Sequence, residues 1–315
     1  MKWLHPEPLH MLPSSLFGYV WRFTGRHQVA LAAMSIMVFA LSAAPLELQR
    51  RIVNDAIAKG DVEPIVRLAL AYVAVALAEG ALKLAMNVYR SWVSEGAVRH
   101  LRHVTLDVAH PEGSVSAQSA GVELSMVLSE IEPIGGFVGV STSEPLLQGG
   151  ILFSVFGYMV YLEPRLALFS LLIFSPQFVF VPLLQRAINR RVESRILTTR
   201  ELGAGMLRSG GHRRRHVNRV FRLQMGIFKL KFSMNFLMNL THHAGVAAAL
   251  GIGGWFALSG RIEVGTVVAF ISGLAKVNDP WGDLVNWFRD MTVTLVKYRL
   301  IAGAVARMQT GLPGS

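Results

Sequence analysis

Apolar residues in this chain recur in long blocks, and the polar intervals between the blocks are either very short or very long. A helix needs about 20 mostly apolar residues to cross roughly 30 Å of hydrocarbon, and six stretches meet that demand. The first runs from Val29 to about Leu48, with no Asp, Glu, Lys or Arg between His27 and Leu46. The second, Ile65 to about Met86, contains Arg67, Glu79 and Lys83. The third and fourth, about Pro145 to Leu162 and Leu166 to Gln185, are parted only by Glu163, Pro164 and Arg165, a break short enough to force an antiparallel hairpin. The fifth lies in the 29 uncharged residues from Phe232 to Gly260, and the sixth starts near Val264 and runs past Lys276 and Asp279. The pattern predicts an all-α integral membrane protein with six transmembrane helices.

The long intervals are not linkers. Between spans two and three lie 58 residues, Asn87 to Glu144, and between spans four and five lie 46, Arg186 to Lys231. Val98, Leu101, Val104 and Val108 in the first, and Ile188, Val192 and Ile196 in the second, keep a heptad-like spacing, so the helices continue past the bilayer. Each interval reads as a hairpin of two helices about 20 residues and roughly 30 Å long. The breakers Pro111 to Gly113 and Gly210 to Gly211 mark the tips. Ahead of the first span, Ser14 to Gln28 mixes aromatics with Arg22, Arg26 and His27 and reads as an interfacial helix. The chain then divides into an interfacial segment (1–28), a transmembrane domain (29–309, with the hairpins at about 87–144 and 186–231) and a tail (310–315). The 28 residues before the first apolar block are too many for the n-region of a cleaved signal, although Ala43 and Ala44 are suitably small.

Composition agrees: 52% of residues are hydrophobic and 16% charged, against roughly 25% charged in soluble chains, and the mean hydropathy is +0.42. The bilayer is the main solvent, which excludes an ordinary soluble enzyme. The net charge of +11 suggests nucleic acid until the cations are located, because 13 of the 31 Lys and Arg fall between Arg186 and Lys231. If the short connections face outward, only Arg50, Arg51, Lys59, Arg67, Arg165 and Arg261 lie outside, and every other cation faces the cytoplasm. That bias places both termini inside a cytoplasmic (inner) membrane and makes lipid, not nucleic acid, the partner of the charge. With no cysteine there is no disulfide, no Cys-based zinc site and no thiol nucleophile.

Six spans with short outer turns and two long inner hairpins resemble the transmembrane domain of an ABC exporter, the type IV transporter fold. Locally the resemblance rests on SLFGYVWRFTGRHQ before the first span, PLELQRRIVNDAI at its end, and SGRIEVGTVVAFISGLAKVNDP continuing to VKYRLIAGAVARM around the sixth. Pro280 matches a proline that the family commonly carries about two thirds of the way along span six. The resemblance implies a permease, used for export, in which two copies or homologous halves form a twelve-helix pathway. It also implies ATP and Mg acting through a partner nucleotide-binding subunit that docks on the hairpin tips: His110, Pro111 and Glu112 on the first, Arg213, Arg214 and Arg215 on the second. No Gly-Lys dipeptide occurs in these 315 residues, so a G-x-x-x-x-G-K-[ST] phosphate loop is impossible within them and no ATPase chemistry is expected of them. The alternative is a scaffold, regulator or remnant that keeps the fold without energy coupling.

Candidate substrate residues come from the apolar helices. Asp279, Asp283, Asn286 and Asp290 follow one another at intervals of 4, 3 and 4, on one stripe of a helix. Counted from Gly265, Asp279 is about 21 Å and Asp283 about 27 Å along span six, in the inner leaflet. Ionisable groups at such depth face a bundle interior or an aqueous cavity, and Trp281 and Trp287 supply apolar or cation–π walls for an organic cation. The competing reading pairs the lower acids with Lys276, Arg289 or a neighbouring helix. Glu79 belongs to the same acidic cavity or forms an i,i+4 pair with Lys83. His212 and His216 have metal-compatible spacing but enclose three arginines, so no metal is expected, and His242 and His243 read as packing groups. Gly135 with Gly139, and Gly245, Ala249 and Gly253, are small-residue faces for close helix packing. No catalytic motif stands out.

Overall fold

The computed structural model describes residues 12–57, 62–109, 131–205 and 213–310, and they are almost entirely helical. In order these are α1 (Leu16–Ser42), α2 (Ala44–Arg51), a π-helical turn (Ile52–Ile57), α3 (Val62–Ala109), α4 (Ile131–Val140), α5 (Ser143–Leu162), α6 (Pro164–Phe174), α7 (Gln177–Gly205), α8 (Arg213–Leu258) and α9 (Val264–Thr310). Four helical stretches are long and apolar enough to cross a membrane: 16–55, 62–105, 143–162 and 164–199. The expected fifth and sixth spans lie in α8 and α9, each longer than a bilayer is thick, but their apolar runs are diluted by His242, His243 and glycines in α8 and by Lys276, Asn278 and Asp279 in α9.

Two expectations about boundaries change. The interfacial segment is not a separate helix, because α1 runs unbroken from Leu16 to Ser42. The Ser15 side chain caps it by accepting from the Gly18 N–H at 3.0 Å. One buried seam, Gln28, Leu31, Ser35, Val38 and Ser42, then continues the line begun at Leu16, Tyr19, Val20 and Thr24. Conversely, runs read as continuous are broken after Ser42, around Ser141 and at Ser175. In each case a serine hydroxyl turns back to the carbonyl three residues earlier, Ser42 to Phe39 at 2.6 Å, Ser141 to Val138 at 3.0 Å and Ser175 to Leu172 at 2.8 Å. A proline follows each serine within four residues (Pro45, Pro145, Pro176) and cannot donate to the helix ladder. The hydroxyl thus satisfies a carbonyl near the break.

The chain divides into two compact units. One comprises residues 1–48, 67–154 and 280–315, the other 49–66 and 155–279. In the first, α3 runs antiparallel to α1: Tyr19 faces His100, His27 faces Tyr89 and Ser35 faces Met86. The α4–α5 pair runs parallel to α1, with Gln28 donating to the Val138 carbonyl at 2.9 Å, Ser35 to the Ser143 carbonyl at 3.1 Å, and Ser42 meeting Ser154. Gly135 and Gly139 let α4 touch α3. A Cβ at Gly135 would stand 2.9 Å from the Val98 nitrogen, and one at Gly139 2.5 Å from the Arg90 carbonyl oxygen.

In the second unit α8 runs antiparallel to α6 and α7 in a single register. Gly253 lies against Leu166, Gly245 against Phe174, Gln224 against Arg195 and Gly226 against Arg191. The turn after α8 closes with the Arg261 N–H on the Phe256 carbonyl and the Gly260 N–H on the Ala257 carbonyl. Gly260 sits at φ 70°, the left-handed position this cap requires.

Candidate functional site

Within the first unit a chain of buried polar side chains leads to α9. Arg90 on α3 donates from Nη1 to Glu144 on α5 at 2.6 Å, and Arg90 is 8% exposed. One turn along α5, the Gln148 amide nitrogen donates to Glu144 at 2.8 Å and to Asp283 on α9 at 3.1 Å. Its two hydrogens hold the two carboxylates near each other. The four side chains carry a net charge of −1, with Asp283 at the exposed end. Nε and Nη2 of Arg90 are buried without a hydrogen-bond partner among the described residues, so the guanidinium depends on Glu144 for its compensation.

Beside this chain Asn286 is exposed, while Trp287 is half-buried and stacks on Phe137 at 6.1 Å. The buried indole N–H of Trp287 has no hydrogen-bond acceptor among the described residues. Trp281 is half-buried. Asp290 is exposed and takes Arg289 at 3.1 Å. In the second unit, Asp279 is exposed and accepts from Asn278 at 3.5 Å. All four members of the α9 stripe thus sit on its exposed side. The geometry brings Asp283 together with a neighbouring helix, where the Gln148 amide on α5 donates to it.

Glu79 is buried and receives Lys83 at 2.8 Å, the i,i+4 pair. His110, Pro111 and Glu112 lie outside the described residues. Arg213 opens α8, and Arg214 and Arg215 after it are exposed. Among the described residues no cluster of His, Cys, Asp or Glu has the makeup of a metal site.

Arg90, Glu144 and Gln148 went unrecognised in the sequence. Glu144 and Gln148 are four residues apart at the start of α5, a same-face pair that could have been noticed. Their link to Arg90 depends on α3 and α4 meeting through Gly135 and Gly139.

At the other end of α9, in the second unit, Glu263 accepts from Arg50 at 3.4 Å and from Asn54, and the Asn54 side chain accepts the Gly265 N–H at 2.7 Å. A Cβ at Gly265 would come within 2.5 Å of the Arg50 carbonyl oxygen. The π-helical turn holds Asn54 at this position, tying the residues after α2 to the start of α9.

Long α-helices that continue past their apolar runs, packed as antiparallel hairpins, define a polytopic membrane domain. The ABC transporter transmembrane region matches residues 29–204, from the first apolar block to the end of α7. The chain belongs to that family. It is therefore a multi-pass membrane protein with a permease role, built on a non-catalytic domain type that works with nucleotide-binding domains.

Proposed function

We propose that the chain is the pathway-forming half of an ABC exporter, that it crosses the membrane six times with both termini in the cytoplasm, and that it moves amphipathic organic cations. Two such halves enclose the pathway, and a partner's ATP hydrolysis drives its alternation. The observation that carries this reading is the exposed stripe of Asp279, Asp283, Asn286 and Asp290 on α9 of a family member. Acids on an apolar helix are costly against lipid, and a face exposed among the described residues is where a second half and a cargo would meet. Half-buried Trp287, beside Asn286, supplies an apolar wall, and the Asp283 carboxylate, held by Gln148, supplies the negative charge.

The test is equilibrium binding of a hydrophobic quaternary ammonium dye to the purified chain. Asp279→Asn with Asp283→Asn is expected to weaken the dye by tenfold or more while leaving an uncharged analogue unaffected. A well-folded double variant with unchanged dye affinity would remove the cation reading. Failure to recover any nucleotide-binding subunit with the chain, together with no ligand-dependent change in its stability, would favour a scaffold instead.

A further inference from the structure

The start of α9 is interlocked with a segment 209 and 211 residues earlier in the chain, and both lie in the second unit. A helix leaves its first N–H groups without partners, and the side chain at its own N-cap ordinarily takes one of them. Glu263 holds that position ahead of Val264 and accepts the Thr266 N–H on its backbone carbonyl at 3.0 Å. Its carboxylate turns away from the helix, to Asn54 and, at 3.4 Å, to Arg50. The Gly265 N–H goes instead to the Asn54 side-chain oxygen at 2.7 Å. Asn54 thus works through both ends of its amide: the oxygen caps α9, and the nitrogen holds the residue before it. The reciprocity is that of a capping box, with its two halves on different spans.

Three features suit this contact to opening and closing. Its bonds stand at the surface, with the Glu263 side chain 65% exposed and Val264 beside it 63% exposed, so water replaces each bond almost as well. The fit is all-or-none, because Gly265 is in direct contact: a Cβ there would stand 2.5 Å from the Arg50 carbonyl oxygen and 2.6 Å from the Asn54 side-chain carbon. Asn54 also rides on the π-helical turn Ile52–Ile57, whose hydrogen bonds span one residue more than those of an α-helix. Conversion of that turn to α geometry is a discrete change that rotates Asn54 away from Gly265. An element with two discrete arrangements is the physical requirement for coupling one end of a helix to another state. We infer that Asn54, Glu263 and Gly265 form an outer latch, which when engaged shuts the outward end of the α9 stripe and when released opens it.

The latch lies outside, and the stripe beneath it in the pathway, only under the reading proposed above. Ala275 is exposed on that stripe, one turn above Asp279 and about 15 Å from Gly265. Leu250 on α8 is 55% exposed and about 15 Å from Gly260, an equal depth off the stripe. A single cysteine is placed at either position in the full chain, and its rate of labelling by an impermeant maleimide is measured in intact cells. Asn54→Asp still caps Gly265 but sets a second carboxylate against Glu263. It is expected to speed labelling of Ala275→Cys about fivefold, the factor for two like charges about 4 Å apart in water. Gly265→Ala, whose Cβ displaces Asn54, is expected to act in the same direction. Glu263→Gln keeps an acceptor for Asn54 and is expected to leave the rate unchanged. Leu250→Cys, with its thiol protonated in lipid, is expected to stay unlabelled in every background.

An unchanged Ala275→Cys rate in both Asn54→Asp and Gly265→Ala would overturn the latch. So would labelling of Leu250→Cys that rises equally, since it would show general loosening. Gly260→Cys separates the latch from the orientation: if it is unlabelled from outside, the orientation has failed, and the same comparison in inside-out vesicles decides the latch. Faster labelling of Ala275→Cys alongside unaltered dye binding by the Asp279→Asn, Asp283→Asn variant would remove the cargo and keep the latch.

Discussion

Arg90 illustrates how a buried charge constrains its surroundings. Its only carboxylate partner among the described residues is Glu144, and two of its nitrogens are buried without acceptors. Removing one partner of a buried pair strands the other, at a cost of roughly 3–5 kcal/mol, whereas replacing both with apolar groups of similar volume is often neutral. Glu144→Ala is therefore expected to lower the melting temperature sharply. Arg90→Met combined with Glu144→Met should recover most of the loss, and a differential melt of the three proteins in one detergent checks the order.

His100 provides a titratable counterpart, 14 residues and about 21 Å beyond the apolar run that ends at Met86. It stacks on Phe23 at 4.3 Å and shares a hydrogen bond between its Nδ1 and the Tyr19 hydroxyl at 3.1 Å. Burial, and then the neighbouring His103, hold its pKa below the ordinary 6.5, while burial raises Tyr19 and Tyr298. A folded-state pKa below the unfolded one means that the unfolded chain binds more protons. The stabilisation is complete above pH 6.5 and is lost as pH falls through 6.5 towards the folded value. Melting temperature should drop on acidification over that window, and His100→Phe should flatten the drop. The α9 acids were legible in the sequence as a periodic stripe. The ties of Arg90 and His100 were not, because their partners lie 54 and 81 residues away.

At the scale of helices, periodicity located the apolar runs and the continuation of α3, α7 and α8 beyond them. It missed where helices break, because it weighs hydrophobicity and is blind to whether a carbonyl has a donor. Ser42, Ser141 and Ser175 look like tolerated polar residues until their hydroxyls are seen on carbonyls three residues back. The small-residue faces were legible, and the structure ranks their members. A Cβ at Gly135 or Gly139 meets backbone atoms of α3, whereas one at Gly136 meets nothing within 4 Å. Gly135→Ala and Gly139→Ala should cut the folded yield severely. Gly136→Ala should leave it unchanged or raise stability by up to about 1 kcal/mol through helix propensity, as fluorescence-detected size exclusion would show.

For the whole molecule, the absence of cysteine makes topology directly measurable. A single cysteine at Gly260 is expected to be labelled from outside intact cells by an impermeant maleimide, and one at Gly113 only after permeabilisation; the reverse pattern would invert the protein. The charge distribution that supports this orientation also bears on ionic strength. Most proteins tied by surface ion pairs loosen as salt screens those pairs. In the α7–α8 hairpin Arg191 is anchored on the Gly226 carbonyl and Arg195 on the Gln224 amide oxygen, and among the described residues none of Arg191, Arg195, Arg219 and Arg222 has an ion pair for salt to weaken. What salt does reach is their mutual repulsion, in a chain of net charge +11. The Debye length shrinks from about 10 Å at 0.1 M to about 3 Å at 1 M, so added sodium chloride should tighten this hairpin and slow its amide exchange, the opposite of the usual response.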